Sequence, residues 1–206
     1  MDEEEKNWIR DRYNERLDSH GNSIEALASG TKERRNIRFQ ILQEVGITTG
    51  DSVLDIGCGF GDFYGYLQDK GLEVDYVGYD INSRIVEAAR EKFPGADFKV
   101  KDVLEENYPT FDYIVSSSTF NLPLKNHGNY NIVKSLLETT YEHASEGVSI
   151  DFLSSYVDYE SEEGFHYKPE KIFSMAKSIT KKVQLRHDYP LFEFNIYLYP
   201  DFEGWD

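Results

Sequence analysis

Apolar residues in this chain change their spacing at about residue 50. Before it, Trp8, Ile9, Tyr13 and Leu17 recur at near-helical intervals, and Ile37, Phe39, Ile41, Leu42 and Val45 form a second stripe closed by Gly46. Two helices and no strand are expected there. After it, short apolar runs alternate with amphipathic stretches. Strands are expected at 52–56, 74–79, 96–100, 111–115 and 148–152, and helices at 62–70, 83–92 and 130–143. Ser83 is expected to cap the second of these helices, and Pro94-Gly95 breaks the chain after it. Pro169 opens another helix carrying Ile172, Phe173 and Ala176, and two strands near 182–186 and 194–199 close the pattern.

Strands alternating with helices imply right-handed crossovers, hence an α/β fold: a Rossmann-like, doubly wound, seven-stranded and mostly parallel sheet. The end of the chain differs. Only a short stretch containing Asp188-Tyr189-Pro190-Leu191 separates the last two strands, so they pair as a hairpin with an antiparallel C-terminal strand. Residues 1–50 read as an N-terminal helical cap over the ligand site and 51–206 as the α/β domain. The polar, Tyr-rich stretch 153–168 reads as a loop over the strand ends.

Charge changes the picture of partners. The chain has 22 Lys and Arg against 38 Asp and Glu, a formal balance of −16. Nucleic-acid phosphates and anionic membranes would repel such a chain, so neither is expected as a partner. Apolar content is low at 39%, but 15 Tyr and 13 Phe supply large buried areas with polar handles. One Cys excludes an internal disulfide framework and fits a reducing compartment. The start, Met1-Asp2-Glu3-Glu4-Glu5-Lys6, is acidic where a secretory signal is basic and then apolar, and no run of about 18 apolar residues could span a bilayer. A cytoplasmic protein is expected, of open oligomeric state.

The most informative segment is Val53-Leu54-Asp55-Ile56-Gly57-Cys58-Gly59-Phe60-Gly61, a buried strand running into a turn with glycine at three alternate positions. Open α/β sheets bind ligands at such turns, outside the carboxyl ends of the strands. The second strand ends in Gly78-Tyr79-Asp80, which puts a carboxylate beside the turn, where it can accept from both hydroxyls of a ribose. The dinucleotide fingerprint is G-x-G-x-x-G, whereas here the third Gly comes one residue early and Asp62 stands in its place. A carboxylate at that helix start would repel a pyrophosphate and tolerate a cationic sulfonium or ammonium.

VLDIGCGFGDFYGYL, VGYDIN and VKDVL together resemble the glycine loop, ribose acid and adenine segment of the class I S-adenosylmethionine (SAM)-dependent methyltransferases, over about residues 50–200. RYNERLDSHG and ERRNIRF, in the first 50 residues, resemble a bacterial branch of that superfamily. The resemblance implies that SAM is the cofactor and S-adenosylhomocysteine the product. By position, Gly57, Gly59 and Gly61 would cradle the methionine part. Cys58 would touch the cofactor as a small residue of a crowded turn rather than as a nucleophile. Asp55 would orient the loop and the amino group, Asp80 would hold the ribose, and Ile81 would pack on the adenine. Asp102 and Val103 would meet the adenine amino group and ring, and Ser116, ending the fourth strand, would complete the amino-acid pocket. One of Arg16, Arg34, Arg35 and Arg38 would face the SAM carboxylate.

Methyl transfer from a sulfonium needs an aligned acceptor and little else unless that acceptor is a hydroxyl, whose proton a base must take. His166 and His127 are the candidate bases, His143 is expected to be structural, and Phe120, Tyr156, Tyr159, Phe165 and Tyr167 are candidate pocket walls. No D/N-P-P-Y/F run follows the fourth strand, where the chain reads Ser116-Ser117-Ser118-Thr119-Phe120-Asn121, so methylation of exocyclic or amide nitrogens is not expected. Asp151 lies alone in the fifth strand, too few oxygen ligands for Mg²⁺, and no Cys/His cluster has zinc spacing, so no metal is expected. The expectation is a metal-free methyltransferase acting on a small molecule, at oxygen. The alternatives are a protein of this fold that binds SAM or a partner without catalysis, and an NAD-dependent oxidoreductase.

Overall fold

The chain opens with two helices, α1 (Glu3–His20) and α2 (Lys32–Gln43), before any strand. There follow β1 (Ser52–Ile56), α3 (Asp62–Asp69), β2 (Asp75–Asp80), α4 (Ser83–Lys92), β3 (Asp97–Val100), β4 (Phe111–Ser116), α5 (Asn129–Glu142), β5 (Ala144–Leu153), α6 (Pro169–Lys177), β6 (Lys182–Arg186) and β7 (Glu193–Tyr199). The computed structural model describes residues 1–28, 30–105, 107–126 and 128–201.

Seven strands form one sheet in the order β3-β2-β1-β4-β5-β7-β6, parallel except where β7 runs against both its neighbours. Consecutive residues of β1 feed opposite cores, as the two-residue period of a strand requires. Leu54 packs with Val133, Leu136, Ile172 and Ala176 of α5 and α6, and Val53 packs with Phe39, Leu42, Phe63, Leu67 and Val86 of α2, α3 and α4. Each such fully buried aliphatic side chain contributes roughly 1.5–3 kcal/mol. Buried on both faces, the central strands show near-continuous apolar runs instead of alternation.

Two local expectations need correction. Asn82, not Ser83, caps α4, its side chain accepting from the N–H groups of Arg84 (2.9 Å) and Ile85 (3.3 Å). β5 has ten residues, because pairing with β4 extends it back through the polar Ala144-Ser145-Glu146-Gly147, which carries no apolar signal. Residues 154–168 form no helix or strand beyond the single bridge between Ser154 and Tyr167, yet Tyr167 pins the end of the stretch. It is fully buried, exchanges backbone bonds with Leu153 and Ser155, and donates its hydroxyl to Phe120 O at 2.6 Å.

β1 has β2 on one side and β4 on the other. Strand order reverses there, and the crevice beyond the C-terminal ends of β1, β2 and β4 is where an open α/β sheet takes its ligand.

Candidate active site

Glycine is obligatory at the end of β1. Gly57, Gly59 and Gly61 have φ of 71°, 56° and 74°, left-handed values that side chains disfavour. The turn is tied to β2, since Gly57 N–H (2.7 Å) and Cys58 N–H (3.0 Å) donate to Tyr79 O and Gly59 N–H reaches an Asp80 carboxylate oxygen at 3.3 Å. A Cβ on Gly57 would strike Thr119 and one on Gly59 would strike Leu27, both residues of the cleft lining. At Gly61 it would strike Phe98 in the core. The third glycine therefore serves helix–sheet packing and does not line the cleft.

The larger cleft runs from this turn past the ends of β2 and β3. Gly57, Gly59, Asp80, Ile81, Asp102, Val103, Leu104, Ser117, Ser118, Thr119 and Phe120 line it, with Ile9 and Tyr13 from α1 and Met1 just before that helix. Asp80 accepts from Asn82 N–H (2.9 Å) as well as Gly59 N–H, leaving lone pairs on both oxygens for the cleft. Burial pushes its pKa up to about 6 against those two bonds. Asp102 accepts from Leu104 N–H at 2.9 Å and meets the Lys6 ammonium at 3.1 Å. Lys6 is only 1% exposed and also pairs with Glu3 (2.9 Å) and Glu105 (2.5 Å). Burial opposes its charge, but the bonds to Glu105, Glu3 and Asp102 win and raise its pKa. This donor set fits an adenosine. A two-oxygen acceptor could take both hydroxyls of a ribose, an acid lies further along, and Ile81 and Val103 supply apolar surface.

A smaller cleft adjoins the first on the other side of Leu27, lined by Arg35, Arg38, Asp55, Cys58, Asp62, Ser117 and Ser118. Here charges are buried. Asp55 accepts from Tyr76 Oη at 2.6 Å, and burial, reinforced by Asp80 and Asp151, pushes its pKa up to about 7. Asp62, expected to repel a pyrophosphate, is matched by Arg35 at 2.7 Å and Lys92 at 2.5 Å, so that argument against a dinucleotide loses its force. Burial raises the Cys58 thiol well above its ordinary pKa, which leaves it no nucleophile.

The structure therefore brings Asp55, Gly57, Cys58, Gly59, Asp80, Ile81, Asp102 and Val103 to the two clefts. Gly61 and Ser116 are not in either lining. Ser116 is buried with Oγ donating to Ile56 O at 2.8 Å, and the next two serines take the place expected for it. His166 is also elsewhere. Its Nδ1 donates to Ser154 O (2.8 Å) and its Nε2 accepts from Ser161 N–H (3.0 Å), so both ring nitrogens brace the 153–168 loop. His127 lies outside the described residues. Of the five proposed aromatic walls only Phe120 lines the larger cleft; Tyr167 and Phe165 pack in the core, and Tyr156 and Tyr159 are exposed. His143 stacks on Tyr108 at 4.3 Å between centroids, the structural role expected. Sequence reasoning missed Tyr13 and Leu27, which line the larger cleft, and Lys6, which pairs with Asp102 of that lining. The apolar spacing of α1 hinted at Tyr13 alone. Among the described residues, no helix is long and apolar enough to cross a membrane.

Known proteins are similar to this chain. A family described as methyltransferase domain matches residues 53–154. A protein of Mycobacterium tuberculosis named "Putative methyltransferase Rv1506c" is 32% identical over 153 residues, 70% of this chain and 90% of that one. Human N-acetylserotonin methyltransferase, solved in complex with SAM, superposes with a TM-score of 0.68 at 16% identity, covering 97% of this chain and 60% of that one. Magnesium protoporphyrin IX methyltransferase from Synechocystis PCC 6803, solved with bound S-adenosylhomocysteine, gives 0.64 at 13% identity, over 93% of this chain and 98% of that one. At these identities the structures speak for the fold alone.

Proposed function

Because the chain belongs to the class I SAM-dependent methyltransferases, with SAM as its cofactor, we propose that it methylates a small-molecule acceptor at a hydroxyl oxygen, without a metal. The observation that carries the small acceptor is the roof over the cleft. α1 lies across it, tied down by Lys6 on Asp102, by Arg10 donating to Ile81 O (3.1 Å), and by Asn82 donating to Asn14 Oδ1 (3.0 Å). A roofed cleft under a chain of net charge −16 suits a compact acceptor and repels a polynucleotide. In this reading residues 1–50 act as a cap on the α/β domain, 51–206. We place the chemistry in the cytoplasm, where a single buried thiol stays reduced.

The residues divide the work along the cofactor. Asp80 holds the ribose hydroxyls, Asp102 takes the adenine amino group, and Ile81 and Val103 flank the ring. Gly57 and Gly59 give passage past the turn because no Cβ fills it. Ser117, Ser118 and the Arg35 and Arg38 guanidiniums meet the amino-acid end. When bound, SAM supplies a methyl carbon made electrophilic by its sulfonium. The protein aligns the acceptor oxygen with that carbon and keeps water out. Attack by the acceptor oxygen would release the cofactor's sulfur as a thioether, and the chain's part would be to pass the acceptor proton to a base. His127 is our assignment for that base, since an imidazole titrates in the right range and His166 is committed to its loop. Tyr13, in the cleft lining, keeps its proton because burial and Asp80 raise its pKa, so it orients the acceptor as a hydrogen-bond donor.

Incubation with methyl-tritiated SAM, a panel of hydroxyl-bearing metabolites and, separately, ribosomal RNA tests this reading. Label should enter a metabolite as an ether and leave RNA unlabelled. Labelled RNA, or label only on amines, would overturn it.

A further inference from the structure

The turn after β4 has its back to one buried carboxylate. Asp151, on β5, is 2% exposed, and it accepts from Ser117 Oγ at 2.8 Å and from Ser118 N–H at 2.7 Å. Ser118 has φ 57°, a left-handed conformation that a residue with a Cβ adopts at a cost, so the turn is held where it would not rest by itself. On its other side the turn is stitched to β1, because Ser116 Oγ (2.8 Å) and Thr119 Oγ1 (3.1 Å) both donate to Ile56 O. An apolar residue at 151 would leave the Ser118 N–H and the Ser117 hydroxyl without their acceptor.

A hydroxyl has one proton to donate. Ser117 spends its proton on Asp151, and since Ser117 lines both clefts, what it offers them is lone pairs. Lone pairs suit a cation. We propose that Asp151 is a positioning residue for the cofactor's amino-acid end: by accepting from Ser117 and Ser118 it fixes the turn and turns Ser117 into an acceptor for the α-ammonium. The inference rests on the reading above that this end of the cofactor lies against Ser117 and Ser118. It adds a residue in neither cleft lining, placed by a strand that the glycine-loop motif does not include.

Asp151→Asn makes the test nearly isosteric. The new amide can donate to Ser117 Oγ, which frees the serine proton to point into the cleft and oppose an ammonium. Calorimetry at pH 8 would compare three probes: S-adenosylhomocysteine, its analogue lacking the amino group, and 5′-methylthioadenosine, which lacks the whole amino-acid end. Asp151→Asn should weaken S-adenosylhomocysteine about tenfold and leave the other two within twofold. Adding Ser117→Ala should cost nothing further, because the group of reversed polarity is then gone. Equal losses for all three probes would mean a deformed cleft and overturn the proposal, as would an unchanged affinity for S-adenosylhomocysteine. If the unaltered protein bound the deamino analogue as tightly as S-adenosylhomocysteine, the placement of the amino-acid end would itself be wrong. If Asp151→Asn does not fold, Ser117→Ala alone carries the test. It should weaken S-adenosylhomocysteine selectively, and an unselective effect or none would overturn the proposal.

Discussion

With the cofactor placed as proposed, the two ends of its cleft use acids in opposite ways. At the nucleoside end Asp80 and Asp102 stand in the lining, Asp80 as the last residue of β2 and Asp102 two residues beyond β3, and Asp102 is balanced by Lys6. At the amino-acid end Asp151 and Glu193 lie behind the lining, 2% and 3% exposed, with Arg38 paired to Glu193 at 3.0 Å. Acids of the first kind touch a ligand, so their loss should be felt directly in affinity. Acids of the second kind shape the backbone and side chains that touch it, so their loss should be felt selectively. Asp55 joins the two, being buried yet in the lining of the smaller cleft.

Replacing Asp80 with Ala should have the largest effect. It removes the acceptor for two ribose hydroxyls and strips the Gly59 and Asn82 N–H groups of their partner. Two hydrogen bonds to a charged group at roughly 1.5 kcal/mol or more apiece predict a loss of about 100-fold or more for S-adenosylhomocysteine in calorimetry. 5′-Methylthioadenosine should lose as much, because both ligands carry the ribose. An affinity within threefold of the original would put the ribose elsewhere and erase the distinction between the two ends.

Lys6→Met comes next. The apolar stem survives, while Asp102, its side chain 12% exposed, and Glu105 both lose the Lys6 ammonium. Discounting the exposed partners for solvent screening, the cost is about 1–2 kcal/mol, or roughly 2–8 °C in Tm. Affinity for 5′-methylthioadenosine should fall several-fold as the roof loosens. A variant with full stability and full affinity would make Lys6 an incidental surface pair, with α1 held by its other contacts.

The same contrast explains what could be read from the sequence. Asp80 ends β2, Asp102 follows β3, and the glycines follow β1, so each proposed nucleoside contact is local to a strand end and its motif is continuous. Asp151, Glu193, Arg38 and Ser117 come from β5, β7, α2 and the turn after β4. Nothing in their spacing announces that they meet. Histidine misled for the same reason. His166 was attractive by residue type and loop position, but its ring is consumed by Ser154 and Ser161 of its own loop. The serines after β4 were legible as a segment, and the one named, Ser116, misses the cleft by one residue because strands alternate faces. The sheet itself follows from apolar periodicity, and its antiparallel end from the short connection between the last two strands. The length of β5 does not, since tertiary pairing created it.

The smallest expected effect separates the two ends by pH. Burial pushes the Asp55 and Asp151 pKa values up to about 7 and that of Asp80 up to about 6. Asp55 faces Tyr76, Asp80, Asp151 and Asp62, while Asp151 faces Glu193, Arg38 and the Ser117–Ser118 turn. An unfolded Asp titrates near 4, so between about pH 4 and 7 the folded chain holds more protons than the unfolded one. Linkage then makes stability fall as pH rises through that window and level off above it. Acids whose pKa is lowered, such as Asp112 and Asp188, act in the opposite sense, but only below about pH 4. Ligand-free protein should therefore show a Tm a few degrees higher at pH 6 than at pH 7.5, and Asp55→Asn should flatten that slope. S-adenosylhomocysteine brings an ammonium that favours the ionised carboxylates, so the Tm gain at a fixed ligand concentration should be larger at pH 7.5 than at pH 6. A ligand-free Tm that rises with pH over this range would mean that the acids behind the turn are already ionised and compensated, like Asp102 on Lys6, and the two ends would differ in position but not in physics.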